Sequence, residues 1–286
     1  MAHQITLSDI QFFKEQNKPF TVLTAYDFPF AKLLDEAGVD MILVGDSLAN
    51  VVLGLESTRE VGIEEMVYHA KAVCRAVERA FVVGDMPYGA YQGELKPGFE
   101  PGTPARRLLE AGCDAVKVEW FDRCPEVVRR LCADGVPVVG HVGLTPQTAE
   151  ETGGFKVRGR TAQAAKQVYD QALALEEAGC FSVVVECVPD RVAGVVTRAL
   201  KVPTIGIGAG PDCDGQVLVL HDTLGLFHGK SPKFVKKFCD LSAVVKEGLG
   251  RYVREVSQKR FPSREHSYGI DDKEFAAFQD CIFEAD

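Results

Sequence analysis

The sequence predicts an α/β fold, a (β/α)8 TIM barrel, on three observations. Short apolar runs rich in β-branched residues recur at 20–25, 41–46, 81–85, 115–119, 136–141, 182–186, 203–207 and 217–220. Runs of that length read as parallel strands buried on both faces. Most intervals between them carry a helical pattern, as repeated βα units do. A refrain then marks helix ends: Glu36-Ala37-Gly38-Val39-Asp40, Glu110-Ala111-Gly112-Cys113-Asp114 and Glu177-Ala178-Gly179-Cys180-Phe181 each run into a strand, with Ala133-Asp134-Gly135-Val136 as a looser copy. Each glycine stands where a helix ends in a left-handed residue, which glycine adopts without steric cost. Eight strands favour a closed barrel over a doubly wound open sheet, and 286 residues suit one such domain of the usual ~250 residues. The expected organisation is a single barrel domain at 1–261 and a C-terminal tail at 262–286, helical or partly disordered.

The elements follow in order. The first strand leads to Asp27, whose place before Phe28-Pro29 suits a helix cap. Strand two ends in Gly45-Asp46 and strand three in Gly84-Asp85, each glycine permitting close approach. Strand four is Ala115-Val116-Lys117-Val118-Glu119; by the two-residue alternation of strands, Lys117 and Glu119 share a face. Strand five ends at His141 and strand six at Glu186. The clearest helix is 161–178, with Ala165, Val168, Ala172 and Leu175 on one side and Lys166, Asp170 and Glu176 on the other. Strand seven runs into Gly206-Ile207-Gly208-Ala209-Gly210, whose third glycine comes too early for a dinucleotide fingerprint. Close backbone approach at the barrel mouth is the expectation there. Strand eight precedes Asp222, a second cap candidate. Beyond it, Lys230, Lys233, Lys236 and Lys237 lead into a helix at 240–257, read as a solvated face or a subunit contact, with a binding patch as the alternative. The tail spaces Phe275, Phe278 and Phe283 for an amphipathic helix expected to pack on the body or a neighbouring subunit, and it ends acidic.

Hydrophobic residues make up 46% and charged residues 26% of the chain, enough for a sizeable core. The net charge of −9 argues against general binding to nucleic acid or an anionic membrane, although local cations can still serve an anionic substrate. Nine cysteines, an odd number with no CxxC pair, fit free thiols in a reducing cytoplasm better than a disulfide framework. The polar N-terminal stretch, with Asp9 and Glu15, reads as neither signal nor transit peptide. No apolar stretch approaches the ~18 residues of a membrane span. A cytoplasmic protein is expected.

Four of the runs end in carboxylates, Asp46, Asp85, Glu119 and Glu186, and a parallel barrel gathers strand C-termini on the face where its ligand sits. Neighbouring strands lie ~4.8 Å apart, so Asp46, Asp85 and Glu119 at one level can share a hard cation. Oxygen-only ligation suits Mg2+. The plainer alternative is that strand-end acids cap the following helices. Glu186 lies too far round for an obvious fourth ligand; it is a general base facing the site or a simple cap. Lys117 can neutralise the acids, or bind a substrate carboxylate or nascent enolate. His141 is a core histidine or a site residue. HExxH, zinc-type cysteine spacing, GxSxG and a Walker lysine are all absent.

Assembled, these residues resemble the 3-methyl-2-oxobutanoate hydroxymethyltransferase (ketopantoate hydroxymethyltransferase) family. The resemblance rests on Thr24-Ala25-Tyr26-Asp27, Val44-Gly45-Asp46-Ser47-Leu48, Val51-Val52-Leu53-Gly54, Gly84-Asp85-Met86-Pro87, Ala115-Val116-Lys117-Val118-Glu119, Gly140-His141-Val142-Gly143-Leu144-Thr145-Pro146-Gln147, Glu186-Cys187-Val188-Pro189 and Gly206-Ile207-Gly208-Ala209-Gly210, and it runs from about 20 to 238. It implies a barrel of the phosphoenolpyruvate/pyruvate-binding type, Mg2+, and a cytoplasmic homodecamer. It also implies the first committed step of pantothenate and coenzyme A synthesis: hydroxymethyl transfer from 5,10-methylenetetrahydrofolate to 3-methyl-2-oxobutanoate, giving 2-dehydropantoate through a Mg-stabilised enolate. Carried onto this sequence, it makes Asp46, Asp85 and Glu119 the metal-site acids, directly or through water. Asp46, Ser47, Asp85 and Lys117 become the 2-oxoacid-binding positions, with His141 beside them, and Glu186 the catalytic base.

There are departures. The family usually continues strand four as Lys-x-Glu-Gly-Gly, whereas Trp120-Phe121 follow Glu119 here, and Ala49-Asn50 replace Gly-Met after Ser47-Leu48. Two aromatics at the mouth put the loop and the shape of the folate site at issue. An isocitrate-lyase-like enzyme of the same superfamily competes with this reading, but its Lys-Lys/Arg-Cys-Gly-His loop is absent. A non-catalytic assembly subunit is the other alternative, and the retained acids, Lys117 and His141 speak against it.

Overall fold

The structure is a computed structural model that describes residues 3–91, 102–151, 153–226 and 232–283; Lys230, the side chain of Phe283 and the acidic end of the tail lie outside the described residues. Strands β1 (Phe20–Thr24), β2 (Met41–Val44), β3 (Phe81–Asp85), β4 (Ala115–Glu119), β5 (Val138–Gly143), β6 (Ser182–Glu186), β7 (Thr204–Ile207) and β8 (Gly215–Leu218) pair in parallel in chain order, and β8 closes on β1. The closed (β/α)8 barrel is therefore the fold. Helix α1 (Leu7–Glu15) precedes the first strand, and α2 (Phe28–Glu36), α3 (Leu48–Val51), α4 (Ile63–Cys74), α5 (Gly102–Glu110), α6 (Cys124–Ala133), α7 (Ala162–Ala178) and α8 (Asp190–Ala199) fill the crossovers up to β7. After β8 come α9 (Leu220–Thr223), α10 (Leu241–Ser257) and α11 (Asp272–Phe283).

Several strand ends differ from the sequence expectation: β1 stops at Thr24, β2 stops at Val44, β7 begins at Thr204, and β8 runs Gly215–Leu218 rather than 217–220, since Gly215 already pairs with Phe20 and Val219 is the N-cap of α9. β5 begins at Val138 because the Val136 N–H is used to close α6 on Leu131 O, and it continues to Gly143, which pairs with Glu186. The β7–β8 connection, 208–214, carries no helix; Gly208 and Gly210 turn it with positive φ. A Cβ at Gly208 would meet the Phe234 ring at 2.7 Å, which is the close approach expected of that glycine run. Asp27 caps α2 by accepting from Phe30 N, but Asp222 lies inside α9, whose N-cap Val219 makes no side-chain bond. The refrain glycines Gly38, Gly112, Gly135 and Gly179 all take φ between +79° and +108°.

Packing divides into an outer layer between strands and helices and a lumen core. In the lumen, Val22, Met41, Phe81, Val83, Val139 and Val184 meet, and Ile10 and Phe13 of α1 join the same cluster. Helix α1 is fixed there by a capping box in which Thr6 and Asp9 bond each other's backbone N–H. All nine cysteines are free. Helix α10 buries only Ser242 and exposes Val245, Leu249, Tyr252 and Val256; α11 likewise exposes Phe275, Phe278 and Ile282. Among the described residues no helix is long and apolar enough to cross a membrane.

Candidate active site

Alternation sets the chemistry of the barrel mouth. On β3, β4, β5 and β6 an inward apolar residue is followed two positions later by an inward charged one: Val83 by Asp85, Ala115 by Lys117, Val139 by His141, and Val184 by Glu186. Glu119 continues the β4 series, and Asp46 lies two residues past β2. Asp46, Ser47, Asp85, Lys117, Glu119, His141 and Glu186 all line one cavity of about 110 Å3. The structure thus brings every sequence-selected site residue together.

Lys117 is the hub. Its Nζ stands 2.8 Å from Asp85 Oδ1 and 3.4 Å from Glu119 Oε1, all three side chains buried. Burial opposes its charge most, yet Asp85, Glu119 and Asp46 together outweigh that and raise its pKa. Glu119 is held below its ordinary value: burial pushes it up, and Lys117 and His141 overcome the push. Asp85 is raised by burial, with Lys117 only partly compensating. Asp46 is raised well above its ordinary value by burial and then by the Asp85 and Glu119 charges. Its Oδ2 is buried without a hydrogen-bond partner, while its N–H donates to Asp85 Oδ2 at 3.2 Å. Buried, ionisable oxygens left in this state are costly unless a cation joins them.

His141 connects two parts that sequence reasoning kept apart. Its Nδ1 is 3.4 Å from Glu119 Oε1 and its Nε2 is 3.2 Å from Glu186 Oε2. Glu186 is opposite Asp46 in the barrel but only two strands from Glu119, with β5 between. Burial, the largest influence, works against an imidazolium there, but Glu119 and Glu186 raise the His141 pKa to about 9. Gly143 makes the arrangement possible. Its φ is +94°, a Cβ on it would collide with Glu186 O, and Leu144 N–H donates to that oxygen at 2.9 Å. Gly84 has a different use from the one expected: a Cβ there would meet Cys113 Sγ at 3.0 Å and Leu108 Cδ2 at 3.2 Å, so its smallness serves helix packing. The Cys187 thiol next to Glu186 is pushed up to about 12 by burial and so stays protonated.

Behind Glu119 stand two residues that sequence reasoning did not select. Gln147 N–H donates to Glu119 Oε2 at 3.1 Å, and the Gln147 amide donates to Met86 O. Tyr91 OH donates to Gln147 Oε1 at 2.5 Å and accepts from Glu119 N–H at 3.3 Å. Tyr91 and Gln147 are fully buried. Gln147 lay in a stretch already singled out; Tyr91, in the loop after β3, carried no signal. Phe121 packs on Tyr91, ring centroids 5.6 Å apart, and Trp120 packs into the outer core. Neither lines the cavity. On the far side, Ser47 Oγ pairs with Tyr26 OH at 2.9 Å.

Among the described residues no three His, Cys, Asp or Glu side chains form a ready-made metal cluster. Lys117 occupies the point between Asp85 and Glu119. Asp46 and Asp85 remain as an adjacent carboxylate pair, and a pair suits an ion that keeps waters and shares substrate oxygens.

The sequence profile of ketopantoate hydroxymethyltransferase matches residues 4–264. A 3-methyl-2-oxobutanoate hydroxymethyltransferase from Heliobacterium modesticaldum is 49% identical over 273 residues, 96% of this chain and 98% of that one. The enzyme of the same name from Nitratidesulfovibrio vulgaris is 50% identical, covering 97% and 90%. Among solved structures, a phosphonomutase-like protein from Burkholderia cenocepacia superposes with TM-score 0.63 at 13% identity, over 84% of this chain and 98% of its own. Phosphonopyruvate hydrolase in complex with oxalate and Mg2+ gives TM-score 0.54 at 14% identity over 98% of both chains. 2,3-Dimethylmalate lyase, of the PEP mutase/isocitrate lyase superfamily, gives 0.53 at 13% over 98% and 95%. At such identities the structures share the fold.

Proposed function

This chain belongs to the ketopantoate hydroxymethyltransferase family, and on that premise we propose that it transfers a hydroxymethyl group from 5,10-methylenetetrahydrofolate to 3-methyl-2-oxobutanoate. The product is 2-dehydropantoate, and the step is the first committed one of pantothenate and coenzyme A synthesis. The observation that carries the reading is one small cavity lined at once by paired acids, a buried lysine and the Glu186 carboxylate.

The donor set fits Mg2+. Asp46, with its unpartnered buried Oδ2, and Asp85 would hold the ion, and Glu119 would reach it through water, since its oxygens already face Gln147, Lys117 and His141. Bound there, Mg2+ supplies charge compensation for the acids and draws electron density from the oxoacid carbonyl.

The chain's own residues do the rest. Ser47 and Lys117 orient the oxoacid, and the Lys117 ammonium stabilises negative charge developing on its keto oxygen. Glu186 removes the C3 proton as general base. His141 holds Glu186 and Glu119 in register from the strand between them. The resulting C3 carbanion bonds to the methylene carbon, whose two bonds to the carrier nitrogens break; water supplies the hydroxyl group and the proton for one nitrogen, Glu186 returns the C3 proton to the other, and tetrahydrofolate leaves. Residues 1–261 form the domain that carries this reaction. The uncovered apolar side of α10 is the contact of a cytoplasmic homodecamer. The deciding experiment incubates the full chain with both substrates, with and without Mg2+. Metal-dependent 2-dehydropantoate is expected; none under saturating conditions would sink the proposal.

A further inference from the structure

The inner cavity, about 110 Å3, is well below the roughly 300–1,000 Å3 of pockets that take drug-sized ligands. That is room for a small oxoacid and not for a carrier built from a pterin, a benzoyl ring and glutamate. The body of the carrier must lie outside, across the rim of the barrel. A second hollow lies near the segment that follows Glu186, with Pro189 on its wall. Between the start of α7 and the length of α8 a surface cavity of about 860 Å3 is lined by Arg160, Lys166, Arg191 and Arg198 against one carboxylate, Asp212. Tyr169, Val192 and Val195 supply apolar wall.

The charges there are unusual for a chain of net charge −9. Lys166 is paired with Asp170 at 2.6 Å. Among the described residues Arg160, Arg191 and Arg198 have no ion pair. Three free guanidiniums in one hollow suit carboxylates, which they bind in a planar fork.

Position is the second argument. Pro189 lines the hollow and follows Glu186 by three residues, which span at most about 11 Å when extended. The Arg158 N–H donates to Cys187 O at 2.8 Å, tying the loop that carries Arg160 to the segment after Glu186. Along α8, Arg191 and Arg198 stand about 10 Å apart at 1.5 Å per residue. The cations form a track that starts near the base and leads away from the mouth, too long for a single glutamate to span.

We propose that this hollow binds the glutamyl carboxylates of the one-carbon carrier and makes the enzyme select carriers with several glutamates. The inference rests on the folate reading above, and the test separates the two. Equilibrium binding to the full chain is measured for tetrahydrofolate bearing one or five glutamates, alongside turnover with each methylene form. The pentaglutamate should bind about tenfold tighter or more, with the gap shrinking as salt rises. The Arg191→Ala/Arg198→Ala double variant should bring it to the monoglutamate's affinity while oxoacid binding stays unchanged. Both residues are exposed, so the fold should persist, which circular dichroism checks. If the monoglutamate binds and turns over but extra glutamates add nothing, or if the variant keeps the preference, the site falls and the reaction stands. If neither carrier binds, both fall.

Discussion

The lower and upper halves of the barrel lumen come from the same strands and the same alternation, and they do opposite work. Below, Val83, Ala115, Val139 and Val184 pack in a dry layer with Phe81 and Met41. Two residues further along the same strands, Asp85, Lys117, His141 and Glu186 take their places. A large buried apolar side chain contributes roughly 1.5–3 kcal/mol, whereas each buried ion costs several kcal/mol before its pairing is counted. A barrel can tolerate the upper layer because the lower one holds the strands in register. Stability and chemistry are therefore separable by height in the lumen, and substitutions should sort by it.

The largest effect belongs to Glu186→Gln. Product formation should fall about 10³-fold, within the 10²–10⁴ typical of a general base. Exchange of the oxoacid C3 proton should slow in parallel, while Mg2+ affinity and melting temperature hold. Unchanged exchange would remove Glu186 as the base, and a large loss of stability would break the division by height. Phe81→Ala, in the lower layer, makes the opposite test. Phe81 is buried and stacks edge-on against Phe181, ring centroids 5.7 Å apart. Its truncation should cost about 3–5 kcal/mol in urea unfolding, with kcat per folded molecule within about twofold of the parent.

This layering was legible in the sequence where alternation alone decides direction, as for Lys117 and Glu119 on β4. Asp46, Asp85, Glu119, His141 and Glu186 were selected because strand ends in a parallel barrel converge, and one cavity gathers them. What stayed hidden depends on loops that pass between strands. Tyr91 reaches Glu119 from the loop after β3 and Gln147 from the turn after β5, and loop paths follow no period. The His141 bridge was missed because it is diagonal: His141 is level with Glu119 on one side but opposite Val184 on the other, so its reach to Glu186, two residues further along β6, follows from no strand period. Of the two aromatics, Trp120 continues the β4 ladder through its N–H to His141 O and so turns into the outer core, while Phe121, past the strand end, packs on Tyr91.

Metal loading sharpens the comparison at the upper layer. The raised Asp46 pKa means that its ionised form destabilises the fold: the cost is absent below its unfolded pKa and complete above its folded one. A cation binds the ionised form, so stabilisation by Mg2+ should grow with pH, being larger at about pH 8 than at about pH 5.5. At 100 times Kd it is worth about 2.7 kcal/mol. Thermal melts with Mg2+ and with chelator at both pH values check this, and a shift that shrinks as pH rises would place the ion elsewhere.

The smallest effect asks whether the upper layer depends on what stands behind it. Tyr91→Phe keeps the ring on Phe121 but deletes the hydroxyl that donates to Gln147 and accepts from Glu119 N–H. The Gln147 oxygen and that N–H are then left unpaired in a buried place, at a cost of about 1–3 kcal/mol. Lost packing would appear only in unfolding. Lost orientation of Glu119 would also lower kcat, by about tenfold for a 1.4 kcal/mol rise in barrier, and weaken Mg2+ without altering the KM for the folate. Phe121→Gly, which restores the family's usual residue, should move the same quantities less. If it instead matches Tyr91→Phe, the aromatic contact rather than the hydroxyl network positions Glu119.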